Sequence, residues 1–367
     1  MDEISVNTLV AICAFGLGIV LGAVAQRTNF CTMGAISDVV LMGDWNRFRA
    51  WLLAIAVAVV GTQALQLSGL IDLSKSIYLT TNLGWAGAIL GGLMFGFGMT
   101  LTGGCGNRTV VRLGAGNLKS LVVFMVMGIF AYMTLRGLIA LARIALERST
   151  NLDLKPLGLK SQAIPDLLAR LTGAPSETMR WIILAVVAAG LFCVCLKSRS
   201  FRSSPRNILA GVVFGMVAAL GWYVTGVVGF DEFEPVRLES LTFVAPVGQS
   251  LQYLMTFTGA KISFGIAIIG GVILGSFGAA KASGSFSIEV FTDAADMIRH
   301  LVGAALMGTG GVLALGCTIG QGITGNSTLS VGSLLAFASI VAGCVLGLKY
   351  LEAGGLGGAF KVVFGRA

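Results

Sequence analysis

The sequence predicts an all-α integral membrane protein of about nine transmembrane helices plus short re-entrant half-helices, arranged as an inverted-topology repeat. Three observations predict it. Of 367 residues 56% are hydrophobic and only 11% charged, where soluble domains carry roughly 25%, and the mean hydropathy is +0.89. Apolar runs long enough to span a bilayer as helices recur along the whole chain. A glycine-rich approach to a lone cysteine, "GGLMFGFGMTLTGGC", returns as "GAALMGTGGVLALGC".

The expected spans are Leu9–Ala25, Trp51–Leu70, Gly84–Leu101, Leu118–Leu146, Trp181–Leu196, Ile208–Gly229, Ile262–Ala280, Leu301–Gly316 and Leu334–Leu351. The first follows Asp2 and Glu3 and has no basic leader, so it reads as a true span and not a cleaved signal. Orientation follows the positive-inside rule. Lys197, Arg199, Arg202 and Arg206 place the 196–207 loop in the cytoplasm, with the loops carrying Arg47, Arg49 and Lys281 and the tail carrying Lys361 and Arg366. The amino terminus and the acidic stretch "FDEFEPVRLES" then fall outside, as does the mixed-charge segment 148–177. The net charge of +8 is accounted for by this bias, and no basic-aromatic pattern points to nucleic acid.

Gly91–Cys105 and Gly303–Cys317 are identical at six of fifteen positions, among them Gly91/Gly303, Gly98/Gly310 and Cys105/Cys317. Similar offsets pair "NLKSLVVF" with "SVGSLLAF" and "MGDWNRFRAWL" with "TGAKISFGIAI", so a whole unit is duplicated. The expected division is a first repeat at 1–147, an external segment, linking span and basic loop at 148–206, and a second repeat at 207–367. One intervening span turns the second copy upside down, the plan of many transporters, whose sites lie near the midplane.

Four apolar stretches are too short to cross: Cys31–Gly43, its mate Val247–Gly259, Gly106–Gly116 and Thr318–Gly332. Irregular backbone survives at membrane depth only where protein or a wet cavity surrounds it. Cys31, Cys105 and Cys317 each stand at the start of such a stretch, where free N–H groups of a helix N-terminus attract an anion. A neutral S–H is a weak donor, and weak contacts suit a pathway an ion must also leave. A polarisable sulfur anion suits such a lining, whereas a hard anion such as phosphate favours arginine clamps.

Asn107 and Gln321 are candidate polar liners or interhelical glue, Arg108 and Arg112 candidate steering charges or contacts to lipid phosphate, and Lys281 a candidate exit-side cation or snorkelling anchor. Cys13, Cys193, Cys195 and Cys344 lie within spans and read as packing, as do Met125, Met127 and Met133 among thirteen methionines. The sequence shows no convincing intramembrane carboxylate site for coupling to protons or sodium, and Asp38 is its one obvious candidate. No G-x-x-x-x-G-K-[ST] motif is present, so ATP does not drive transport directly. No cofactor is called for.

An alternative class is an intramembrane thiol or sulfur-transfer enzyme, which needs an attacking thiolate and a resolving partner, commonly as C-x-x-C. That spacing is absent. A soft-metal transporter would use Cys and Met ligands, against which stand the single histidine, His300, and the scattered methionines.

The motifs "QRTNFCTMG", "GGCGNRTVVRLGAG", "GSFGAAKAS" and "GCTIGQGITGNS", in order along nearly the whole chain, resemble the YeeE/YedE family of membrane proteins. The resemblance implies nine spans with extra short helices, an hourglass outline, and thiosulfate uptake past cysteines that fall on Cys31, Cys105 and Cys317, with a lysine on Lys281. It also implies links to sulfite or selenium compounds, and a small cytoplasmic sulfur-carrier partner of the TusA-like type.

Overall fold

The computed structural model describes residues 5–232 and 236–354, so the tail residues Lys361 and Arg366 and the acidic-loop residue Glu234 lie outside the described residues. Among these residues fifteen α-helices follow in order: α1 Val6–Thr28, α2 Thr32–Ser37, α3 Asn46–Leu67, α4 Trp85–Leu101, α5 Gly106–Gly114, α6 Leu118–Arg136, α7 Leu138–Thr150, α8 Ile164–Thr172, α9 Ser176–Leu196, α10 Arg199–Arg202, α11 Pro205–Tyr223, α12 Val244–Met255, α13 Phe264–Ala282, α14 Ala294–Leu313 and α15 Val331–Ala353. The described sheet is one two-residue antiparallel pair, Asn82–Leu83 with Leu152–Asp153. This is an all-α membrane protein.

Eight described helical runs are long and apolar enough to cross a membrane, built on α1, α3, α4, α6, α9, α11, α13 and α15. The ninth expected span corresponds to α14, which is 20 residues long but opens with Asp296, Arg299 and His300 in its first two turns. The expected run Leu118–Leu146 divides at Gly137, where the extended backbone (ψ −156°) separates α6 from α7. There α7 turns away, and the segment after it returns to pair Leu152 with Leu83 and to hydrogen-bond Ile164 N–H to Leu329 C=O at 2.9 Å. The span α9 is peripheral, with 11% of its apolar window buried.

The packing partners keep their pattern when the two halves are exchanged. Helix α1 lies along α13 as α11 lies along α3, and α4 along α15 as α14 along α6. The short helices follow suit, with α12 on α6 and α2 on α15. Helix α4 crosses its own mate, α14.

That crossing explains the repeated glycines. A Cβ on Gly98 would lie 2.6 Å from Gly303 O, and one on Gly310 would lie 2.6 Å from Gly91 O. The two contacts are mates of one another, so backbone touches backbone twice across a local two-fold. Apolar side chains gain little by burial from lipid, so close packing of small residues supplies the association. Elsewhere Gly96 on the Ile340 carbonyl and Gly271 on the Phe15 carbonyl do the same for α4/α15 and α1/α13.

Gly98→Ala is therefore expected to destabilise the protein by about 1–3 kcal/mol, read as a lower unfolding temperature in detergent. The control is Gly190→Ala in α9, where a Cβ meets nothing within 4 Å; it should leave stability unchanged or slightly raised. Equal effects would contradict the crossing.

Candidate functional site: three cysteine-headed helix N-termini

Each of three short helices begins at a buried cysteine. Cys31 and Cys105 are the N-caps of α2 and α5, both in extended backbone (ψ 130° and 174°). Cys317 directly precedes a helical turn that widens into a π-helix at Gly320–Gly325, a distortion frequent at functional sites. The Gly320 N–H donates to Cys317 Sγ at 3.4 Å. The amides of Gly34 and Arg108 lie toward the thiols of Cys31 and Cys105 in the same sense, although neither closes a cap hydrogen bond.

The turns into the cysteines are also mates. Gly103 has φ +68° and Leu315, at the equivalent position, φ +56°. A glycine accepts that conformation freely, whereas a leucine there is strained.

Cys31 and Cys105 face each other. Their thiols are within mutual hydrogen-bonding reach, and each also faces a backbone N–H of the other helix start, Cys105 N–H toward Cys31 and Thr32 N–H toward Cys105. The positive ends of α2 and α5 therefore converge on one point. Arg108 lies close to the pair, its Nη2 donating to Asn29 Oδ1 at 2.8 Å. Arg47 Nη2 donates to Asn29 O at 2.9 Å, and Arg47 also pairs with Asp38 at 3.0 Å. Asp38 is thus held in an ion pair beside the site.

Several buried polar atoms here have no protein partner: Thr32 Oγ1, both amide atoms of Asn107, Arg108 Nη1, Thr318 Oγ1 and Gln321 Oε1. An unmet buried donor or acceptor costs about 1–3 kcal/mol. Their clustering beside all three cysteines marks a place built for something polar. Gln321 uses its Nε2 on Ala314 O, which leaves Oε1 free.

The Cys317 turn and the Cys31/Cys105 pair are tied together by packing. Phe30, next to Cys31, stacks on Trp51 at 4.8 Å and lies 4.1 Å from Phe214. Trp51 stacks at 6.1 Å on Phe337, whose ring would touch a Cβ on Gly322 in the π-turn. The non-helical segment Leu241–Phe243, directly before α12, runs between the two sites. Leu241 O accepts from Thr324 Oγ1 at 2.7 Å, and Phe243, fully buried, lies against Gly106.

Two cavities flank this centre toward opposite ends of α14, which they meet at Asp296–His300 and at Gly311–Val312, about 20 Å apart along the helix. The one at its C-terminal end, about 170 Å³, is lined by Tyr78, Arg237, Glu239, Thr242, Gln249 and Gly316, the residue before Cys317. The one at its N-terminal end, about 350 Å³, is lined by Met33, Gly103, Arg112, Asn117, Lys119, Asp296, Arg299 and His300. Lys119 pairs with Asp296 there at 2.7 Å.

The structure thus brings Cys31, Cys105, Asn107 and Arg108 into one neighbourhood and Cys317 and Gln321 into an adjoining one. Lys281 is apart from both, exposed at the end of α13 with its ammonium 4.5 Å from the Phe286 ring. Cys195 Sγ donates to Arg49 O at 3.4 Å, Cys344 takes up Thr100 Oγ1 at 3.5 Å, and Cys193 is exposed. Among the described residues no three His, Cys, Asp or Glu side chains are grouped to hold a metal ion. Thr32 and Thr318 escaped notice in the sequence, yet each directly follows its cysteine, and that shared C-T dipeptide was the available signal.

Residues 27–346 match the protein family described as sulphur transport. The chain belongs to that family. Its matched region takes in all three cysteine-headed helices, the whole smaller cavity, and every lining residue of the larger one but Leu351. The thiosulfate transporter TsuA of Escherichia coli K12 is 30% identical over 318 residues, 83% of this chain and 84% of that protein. The thiosulfate transporter TsuA of Spirochaeta thermophila is 27% identical over 332 residues, 89% of this chain and 94% of that protein. The probable transporter YedE of Escherichia coli K12 is 31% identical over 93 residues, 25% of this chain and 20% of that protein. Membership makes the protein a transporter and not an enzyme.

For this family member, Asn107→Leu is expected to raise the stability of the ligand-free protein by ~1–3 kcal/mol, because it removes a buried amide that has no partner. Thermal unfolding in detergent checks it. A fall in unfolding temperature would mean that the amide is already satisfied.

Proposed function

We propose that the protein carries thiosulfate, or a closely related sulfur-containing anion, across the bacterial inner (plasma) membrane through a central pathway lined by cysteine thiols. The observation that carries this reading is the pairing of two buried, cysteine-headed helix N-termini, with a third in the adjoining turn, between cavities toward opposite ends of α14. The two TsuA relatives, named as thiosulfate transporters, support the substrate class.

The amino terminus is placed outside and the carboxyl terminus in the cytoplasm. The first repeat is 1–147 and the second, inverted repeat 207–367, joined by 148–206; the exchange of packing partners between the halves supports this division. The cavity beside Tyr78 and Arg237 is then the outer mouth, and that beside Arg112 and Lys119 the inner one. The anion enters at the outer mouth, meets Cys317 and Gln321, and passes Phe243. It then reaches Cys105, Cys31 and Asn107. Helix N-termini and free N–H groups attract its charge, and the thiols meet its terminal sulfur with weak donors and dispersion. Arg108 Nη1, buried without a partner, supplies a donor for a sulfonate oxygen. Lys281 stands on the exit side, where a small TusA-like sulfur carrier would remove the product and draw flux inward.

The test is uptake of labelled thiosulfate into proteoliposomes holding wild type or Cys105→Ala, with sulfite and selenite as competitors. Robust uptake by wild type and near-complete loss in the folded variant are expected. Equal uptake by both would reduce Cys105 to a packing residue and remove the thiol pathway. Stronger inhibition by selenite than by unlabelled thiosulfate would move the substrate to a selenium compound.

A further inference from the structure

The outer cavity holds a carboxylate that the passage of an anion does not use and would ordinarily avoid. Among the described residues that line it, Glu239 is the one acid and Arg237 the one base. Glu239 sits on the loop before α12, its backbone N–H and C=O both bonded to Thr225 Oγ1, at 3.3 Å and 2.7 Å. The loop is therefore fixed, and the side chain is held at the cavity wall. The groups facing the carboxylate are Arg237 from its own loop, the Tyr78 phenol from the turn before α4, and the Gly265 N–H from the first turn of α13. Tyr78 in turn faces Cys317, and Gly316 lines the same cavity. A dianion waiting at Cys317 would thus share a small space with a negative carboxylate.

Like charges in a confined, weakly hydrated site cannot both persist, and the cheaper resolution is for the acid to take a proton. We propose that Glu239 is a proton-binding site of the outer cavity, filled from external water when the anion binds beside Cys317, so that anion and proton enter the site together. This rests on the transport reading above. It supplies a physical benefit: each negative charge moved inward works against an interior-negative potential, and a proton bound alongside cancels one of them. Burial already raises the Glu239 carboxyl above its ordinary value, against the opposing pull of Arg237 and the Gly265 N–H. An anion beside it raises it further, and by reciprocity protonation tightens the anion. The sign is fixed: binding weakens as pH rises.

The experiment uses the purified full-length protein in detergent, titrated with thiosulfate in weakly buffered solution containing a pH indicator. Calorimetric affinities are measured in parallel between about pH 5.5 and 7.5, above the ordinary carboxylate range. Wild type is expected to take up about one proton per anion bound, with affinity falling by about tenfold per pH unit. Glu239→Gln keeps an acceptor for the Gly265 N–H and is expected to bind thiosulfate with no proton uptake and no pH slope. Should that variant fail to fold, Glu239→Asp must shift the midpoint of the pH dependence. Binding by wild type without proton uptake, the same slope in Glu239→Gln, or an unmoved midpoint in Glu239→Asp would each overturn the proposal. Absence of thiosulfate binding by wild type at every pH would instead sink the substrate reading, and this inference with it.

Discussion

Everything at the centre of this protein depends on how closely α4 and α14 cross. Gly98 on Gly303 and Gly91 on Gly310 let the two backbones touch at both ends of one contact. Both helices run directly from that contact into the left-handed turns at Gly103 and Leu315, and from there to Cys105 and Cys317. A side chain at either glycine pair would push the helices apart, and the cysteine turns would move with them. The crossing therefore sets the spacing between two thiols that no covalent link joins.

The chemistry at the centre is sparing with charge. Arg108 and Arg47 are near, yet each is partly committed, one to Asn29 Oδ1 and the other to Asn29 O and Asp38. The surfaces left open are thiols, helix N-termini, isolated hydroxyl and amide atoms, and one guanidinium nitrogen, Arg108 Nη1. A site of paired, free guanidinium groups would hold an oxyanion firmly by bidentate bonds. On the proposed pathway, the present arrangement would attract negative charge through many small dipoles and let it leave again, the property a pathway requires.

Much of this was legible in the sequence because membranes enforce simple rules. Apolar runs of span length, four runs too short to cross, and the repeated glycine–cysteine approach located the spans, α2, α5, α12 and the turn after Cys317. The break between α6 and α7 was missed because apolar residues resume directly after Arg136 and Gly137, so one run was read across a point where the backbone changes direction. Leu315 hid its strained turn, because the equivalent Gly103 announces the conformation and leucine does not. The Phe214–Phe30–Trp51–Phe337 row joins residues from α3, α11, α15 and the turn before α2, and contacts so distant in sequence leave no local pattern. Glu239 looked like one acid of a polar loop; only the fold brings it beside Tyr78 and the Cys317 turn.

The central claim is that thiols and unpaired dipoles at the helix N-termini select an anion with a soft terminal sulfur. Ligand-induced thermal stabilisation of the purified wild-type protein tests it most directly, with thiosulfate and sulfate compared at equal concentration and ionic strength. The two dianions share charge and tetrahedral shape and differ by one sulfur in place of oxygen. The account predicts a clear rise in unfolding temperature with thiosulfate and little or none with sulfate. An equal rise with both would contradict it, because charge alone would then explain the binding.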